Sequence, residues 1–122
     1  MHHILLVEDD PFLIDIYKQK FENTGFNIKI AKNGEQALEA LGSERPDLIL
    51  LDIVLPGAGG WEILERIKSD PALSALKVVI LSNLGQKEEV EKGLKLGAVK
   101  YLIKSQFKPS EVVDKIKEIL AI

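Results

Sequence analysis

Along the chain, short and nearly unbroken apolar runs alternate with longer stretches in which apolar residues recur every three or four positions. The runs at 4–7, 27–31, 47–52, 77–82 and 99–103 read as β-strands, and the unbroken Leu48–Leu51 is the pattern of a strand covered on both faces. The stretch 11–23 carries Leu13, Tyr17 and Phe21 at helical spacing, opens on Pro11 and is stopped by Gly25. Four more helices are predicted. At 34–41, Asn33 and Gln36 have capping-box spacing and Gly42 ends the run, while 60–68 buries Ile63, Leu64 and Ile67. At 86–96, Val90 and Leu94 face inward before Gly97; at 109–120, Pro109 fits a first helical position and Val112, Val113, Ile116 and Leu120 form the apolar face. A strand–helix unit repeated five times predicts an α/β fold, a (βα)5 doubly wound sheet of five parallel strands with helices on both faces. No linker, low-complexity tract or tandem repeat interrupts it, so 1–122 is read as a single domain.

Bulk composition narrows the functional classes. The 122 residues suffice for one core without cross-links. With no cysteine there is no disulfide frame and no thiolate metal site, which fits a reducing compartment. No apolar run approaches the ~20 residues needed to span a bilayer. The start, "MHHILLVEDDPF", turns acidic at once and lacks the basic opening of a secretory signal. His2 and His3 read as a lead-in preceding the first strand. Lys and Arg number 16 against 19 Asp and Glu, a net charge of -3 without a basic stripe, which argues against direct nucleic-acid binding.

The informative residues stand at the strand ends. The first strand runs into Glu8-Asp9-Asp10, the third ends at Asp52, the fourth at Ser82 followed by Asn83, and the fifth runs into Lys104. Parallel strands gather these groups on one edge of the sheet, where ligands of open α/β sheets bind. Asp10 precedes Pro11 and is expected to cap its own helix, which leaves Glu8 and Asp9 facing the site. Clustered carboxylates repel one another, and a hard cation such as Mg²⁺ relieves that repulsion because it takes oxygen ligands. A carboxylate beside it can attack phosphorus, with a lysine and a hydroxyl holding the transferred oxygens. Read singly, each residue has an ordinary explanation: a solvated acidic turn, a loop cap, a strand-end hydroxyl, a surface charge. Their convergence on one edge favours the functional reading.

The segments "ILLVEDDP", "AKNGEQALEAL", "PDLILLDIVLPGAGGWEIL", "VVILSN" and "GLKLGAVKYLIK", with the closing amphipathic helix, resemble in order the receiver domain of two-component response regulators, chemotaxis type included. The resemblance implies a flavodoxin-like strand order 2-1-3-4-5. It implies that Asp52 is the phosphoacceptor, that Asp9 binds Mg²⁺ directly and Glu8 through water, and that Val54 offers its backbone carbonyl to the metal. Ser82 then engages the phosphoryl group, Lys104 pairs with it, and Tyr101 repacks as Ser82 is drawn inward. The resulting switch would reshape the face made by the fourth helix, fifth strand and fifth helix. The implied partners are a histidine kinase or histidine phosphotransfer protein as donor and a protein target or output domain as recipient, with no nucleic-acid or membrane contact. The implied setting is cytoplasmic, the chain a monomer or a phosphorylation-dependent dimer. The implied role is signalling, the only catalysis being its own phosphoryl transfer and dephosphorylation.

Three positions depart from the pattern. Lys104 is followed by Ser105 where receivers usually have Pro, often after a cis bond; a non-proline cis bond costs about 3–4 kcal/mol, so a trans bond and a rerouted loop are expected, with Lys104 still reaching the site. Asn83 replaces a usual Ala or Gly and is expected to crowd the acceptor. Gly59 replaces a frequent Asp, with little effect expected. Other classes fit poorly. A dehalogenase-type phosphatase needs an Asp where Val54 stands; "GAGGWE" is not a dinucleotide loop, no P-loop occurs, and two adjacent histidines make no zinc site. The rival is a receiver-like binding module that signals without phosphorylation.

Overall fold

The computed structural model describes residues 2–57 and 59–122, so the predicted unit 1–122 is covered except at Met1 and Ala58. The order is β1 (His3–Val7), α1 (Pro11–Asn23), β2 (Asn27–Ala31), α2 (Gly34–Ser43), β3 (Leu48–Leu51), α3 (Gly60–Ser69), β4 (Lys77–Ser82), α4 (Lys87–Lys95), β5 (Lys100–Ile103), a 3-10 turn (Lys104–Gln106) and α5 (Pro109–Leu120). All pairings are parallel and the strand order is β2-β1-β3-β4-β5.

β3 lies at the centre with all four residues buried, because alternate side chains enter two separate cores. Ile49 and Leu51 point to the side covered by α2 and α3, where Ala37, Ile63 and Leu64 pack. Leu48 and Leu50 point to the side covered by α1 and α5, where Phe21, Val112 and Ile116 pack. Each such leucine contributes about 1.5–3 kcal/mol by leaving water. A one-residue slip of β3 would exchange its two faces and move Asp52 off the sheet edge.

Local signals account for most ends. Asp10 Oδ1 accepts from Phe12 N at 2.9 Å and Leu13 N at 3.4 Å, the expected cap of α1. Asn33 Oδ1 accepts from Gln36 N at 2.8 Å while Gln36 Oε1 accepts from Lys32 N at 2.8 Å, so the glutamine returns its bond one residue before the cap. Gly97, at φ +113, ends α4 in a conformation that side chains resist.

Other expectations are corrected. Gly42 does not stop α2, which runs on to Ser43. His3 belongs to β1 and does not precede it; its amide donates to Asp47 Oδ2 at 2.7 Å. β3 begins at Leu48 and not at residue 47, and β5 begins at Lys100 and not at residue 99. Ile14 joins Tyr17 and Phe21 as a buried residue of α1, while Leu13 is half-buried toward the cleft described below. α4 buries only Gly93, and Leu94 is 46% exposed.

Candidate functional site

The register builds the site. Val7 of β1 pairs with Leu51 of β3, so Glu8 and Asp52 emerge side by side one residue further on, and Asp52 N donates to Val7 O at 3.1 Å. Leu51 pairs with Ile80 of β4, and Ser82 pairs with Ile103 of β5, one residue before Lys104. Glu8, Asp9, Asp52, Val54, Ser82, Asn83 and Lys104 thus line one cleft of about 360 Å³, with Leu13 of α1 on its rim; Asp10, although it caps α1, lines the cleft as well, so Glu8 and Asp9 are not alone in facing it.

Lys104 is the electrostatic centre. Its Nζ lies 2.5 Å from Glu8 Oε1 and 2.7 Å from Asp52 Oδ2. Glu8 is 1% and Asp52 6% exposed, so these charges meet largely out of water, where removing either partner strands the other. Glu8 Oε2 also accepts from the amides of Asp9 at 3.1 Å and Asp10 at 3.2 Å, and Asp52 Oδ1 accepts from Val54 N at 3.1 Å. Among the described residues no buried side-chain polar atom lacks a partner. Burial raises the Glu8 carboxyl above its ordinary value, against the opposing hydrogen bond and charge of Lys104. Burial likewise disfavours the charge of Lys104, but its bonds to Asp52 and Glu8 prevail and hold its pKa above the ordinary lysine value.

Carboxylate oxygens of Glu8, Asp9 and Asp52 lie within 4.8 Å of one another. This all-oxygen set, with Asp9 exposed at the mouth, suits a hard divalent cation. The loop after Lys104 follows the expected course. No cis peptide bond occurs among the described residues, and Lys104–Gln106 coil into a short 3-10 turn that absorbs the extra residue.

Ser82 is fully buried at the cleft wall, its Oγ accepting from Leu84 N at 3.3 Å. The Tyr101 hydroxyl donates to the carbonyl of Leu84, and its ring lies under Gly93 of α4. Burial and the Glu89 carboxylate raise its phenol above the ordinary value. The tyrosine therefore rests against the β4–α4 loop.

Gly60, which the spacing rules passed over, and Gly59, placed by the sequence on the loop, both bear on the site. Gly60 N donates to Ile53 O at 2.9 Å, and a Cβ at Gly60 would fall 2.4 Å from the carbonyl oxygen of Asp52. Gly59 is the N-cap of α3 and offers no side-chain bond, so its position is a helix start and not open loop. The only sequence signal was the Gly-Gly pair before an amphipathic run.

The sequence matches the response regulator receiver domain family over residues 4–117. The chain belongs to that family. The receiver is 36% identical over 114 residues to the DNA-binding response regulator MtrA of Mycolicibacterium smegmatis (strain ATCC 700084 / mc(2)155), covering 93% of this chain and 48% of that protein. It spans about half the length of the curated relatives it matches. Among solved structures it resembles a response regulator from Chloroflexus aurantiacus J-10-fl, with TM-score 0.90, 30% identity and coverage of 99% and 98% of the two chains. The phosphorylated cyanobacterial phytochrome response regulator RcpA gives TM-score 0.86 at 30% identity, covering 97% and 92%. No described helix of the receiver is long and apolar enough to cross a membrane.

Proposed function

We propose that Asp52 accepts a phosphoryl group from a phosphohistidine on a histidine kinase or histidine phosphotransfer protein. The observation that carries this reading is the 2.7 Å contact of Lys104 Nζ with Asp52 Oδ2 beside the Glu8 and Asp9 carboxylates. It is the placement that a carboxylate nucleophile needs, with a cation ready for the transferred oxygens. An Asp52 oxygen forms the bond to phosphorus as the phosphorus–nitrogen bond breaks, and the donor leaves as neutral imidazole, keeping the proton already on its other ring nitrogen. Water later cleaves the acyl phosphate and restores the carboxylate.

Asp9, Asp52 and the Val54 carbonyl, with Glu8 through water, would hold Mg²⁺, which supplies charge neutralisation for the transferring group. Lys104 holds the Asp52 carboxylate turned into the cleft through its 2.7 Å contact, and afterwards pairs with a phosphoryl oxygen. Ser82 turns its hydroxyl toward the added oxygens, which changes its bond to the β4–α4 loop. The added charge of roughly −1.5 to −2 is the drive. Tyr101, held on that same loop, transmits the change to the α4–β5–α5 face, which addresses a protein target or output domain.

Incubation with Mg²⁺ and a small acyl phosphate, read by intact mass, tests this. A phosphoryl adduct is expected in the native chain and absent in Asp52→Asn or after chelation. No adduct with any small donor or kinase would favour the binding module that signals without phosphorylation.

A further inference from the structure

Two neighbouring residues of α4 meet other elements of the fold. Gly93 is its one buried residue, and a Cβ there would fall 2.6 Å from Ile80 Cδ1 and 2.9 Å from Tyr101 Cδ2. One residue earlier, Lys92 Nζ stands 4.5 Å from the ring centroid of Trp61 on α3. The first point is the tyrosine arm already described. The second leads back to the phosphoacceptor by another path. Trp61 follows Gly60, whose amide bonds Ile53 O at 2.9 Å and whose Cα leaves no room for even a methyl group against the Asp52 carbonyl. The first turn of α3 therefore cannot shift independently of the Asp52–Ile53 backbone, and the indole it carries is half-buried against the same core as β3.

We infer that Trp61 and Lys92 form a clamp that ties the seating of α4 to the backbone of Asp52 through α3, in parallel with the Ser82–Tyr101 arm. Both residues are positioning residues; neither touches the acceptor. The clamp suits a helix that must move, because a cation over an indole face tolerates sliding better than interdigitated side chains do. It would bias α4 toward one seat and yield when the Asp52 loop rearranges. This inference rests on the phosphoacceptor reading only for its second half, the coupling; the clamp itself stands on the Lys92–Trp61 contact.

The test is hydrogen exchange of the α4 amides in the native chain, Lys92→Gln, Lys92→Arg and Trp61→Leu. Each is measured before and after Mg²⁺ with acetyl phosphate, with intact mass taken in parallel. Before phosphorylation, Lys92→Gln and Trp61→Leu are expected to speed α4 exchange about two- to fivefold, the usual worth of such a contact. Lys92→Arg should retain native protection, and α1 should be unaffected in all. Unchanged α4 exchange in Lys92→Gln, or equal acceleration of α1 and α4, overturns the clamp. After phosphorylation, the change in α4 exchange should be smaller in Lys92→Gln than in the native chain at equal adduct; an equal change overturns the coupling. A native chain without adduct refutes the phosphoacceptor reading and the coupling together, while the first comparison still decides the clamp.

Discussion

Replacing Gly60 by alanine offers the sharpest check on how Asp52, the proposed phosphoacceptor, is held. The added Cβ would sit 2.4 Å from the Asp52 carbonyl oxygen and 2.5 Å from Ile53 Cα, where ordinary contact begins near 3.4 Å. About 1 Å of backbone displacement is therefore needed, and both obstacles are main chain, which cannot rotate away. Overpacking of this kind costs at the upper end of the usual range, about 3 kcal/mol. The better helix propensity of alanine returns at most about 1 kcal/mol, and less in a first turn. The net loss is about 2 kcal/mol. At an unfolding entropy of about 2.1 cal/mol/K per residue, a chain of 122 residues loses about 8 °C in Tm. The displaced residue is the proposed nucleophile, so phosphorylation by acetyl phosphate should slow by up to about 100-fold, the scale of a 1 Å misplacement. Thermal unfolding followed by circular dichroism, with adduct formation followed by intact mass on the same preparation, reads both quantities. Gly42→Ala is the control: nothing lies within 4 Å of its Cβ, and it should raise stability by about 0.5 kcal/mol. A Gly60→Ala chain that melts at or above the native Tm would refute the reasoning.

Three further outcomes are expected. Lys104→Met leaves Glu8 and Asp52 buried without their shared cation and should cost about 3 kcal/mol at neutral pH; urea titration should show Mg²⁺ recovering more stability in this variant than in the native chain. Asn83, exposed on the cleft wall, is expected to hinder water, so Asn83→Ala should shorten the phosphoryl lifetime; a lifetime equal to native would count against that role. Burial raises the Tyr17 phenol above its ordinary value near 10, so the folded state keeps that proton longer than the unfolded chain and stability falls as pH rises through the window above 10. Denaturant midpoints at pH 9 and 11 should therefore fall less in Tyr17→Phe, although Tyr101 and Lys104, also raised, preserve part of the loss.

Much of this architecture was legible because its signals are local. The unbroken Leu48–Leu51, the Asp10-Pro11 cap and the polar strand ends suffice to place the central strand, the start of α1 and the edge where the polar groups gather. What escaped is equally physical. Hydrophobic periodicity assigned Val90 and Leu94 to the inner side of α4, but the helix seats itself on Gly93, since a residue without a side chain is what lets it approach Tyr101. No spacing rule could show that Lys104 bonds Glu8 as closely as Asp52, because that contact joins residues far apart in sequence through the register of four strands. Gly60 escaped for the same reason: its importance lies in the backbone it touches, which a sequence does not display.

The charge balance of the cleft also governs encounter. Glu8 and Asp52 share one ammonium while Asp9 and Asp10 also line the cleft, which leaves a local charge of about minus three facing solvent when all are ionised. A small anionic donor diffuses toward Asp52 against that field. Its approach is eased by salt, whose screening length is about 10 Å at 0.1 M. Under the proposed reading, a protein donor with basic side chains around its phosphohistidine would offset that field, so electrostatic steering would favour it over a small anion.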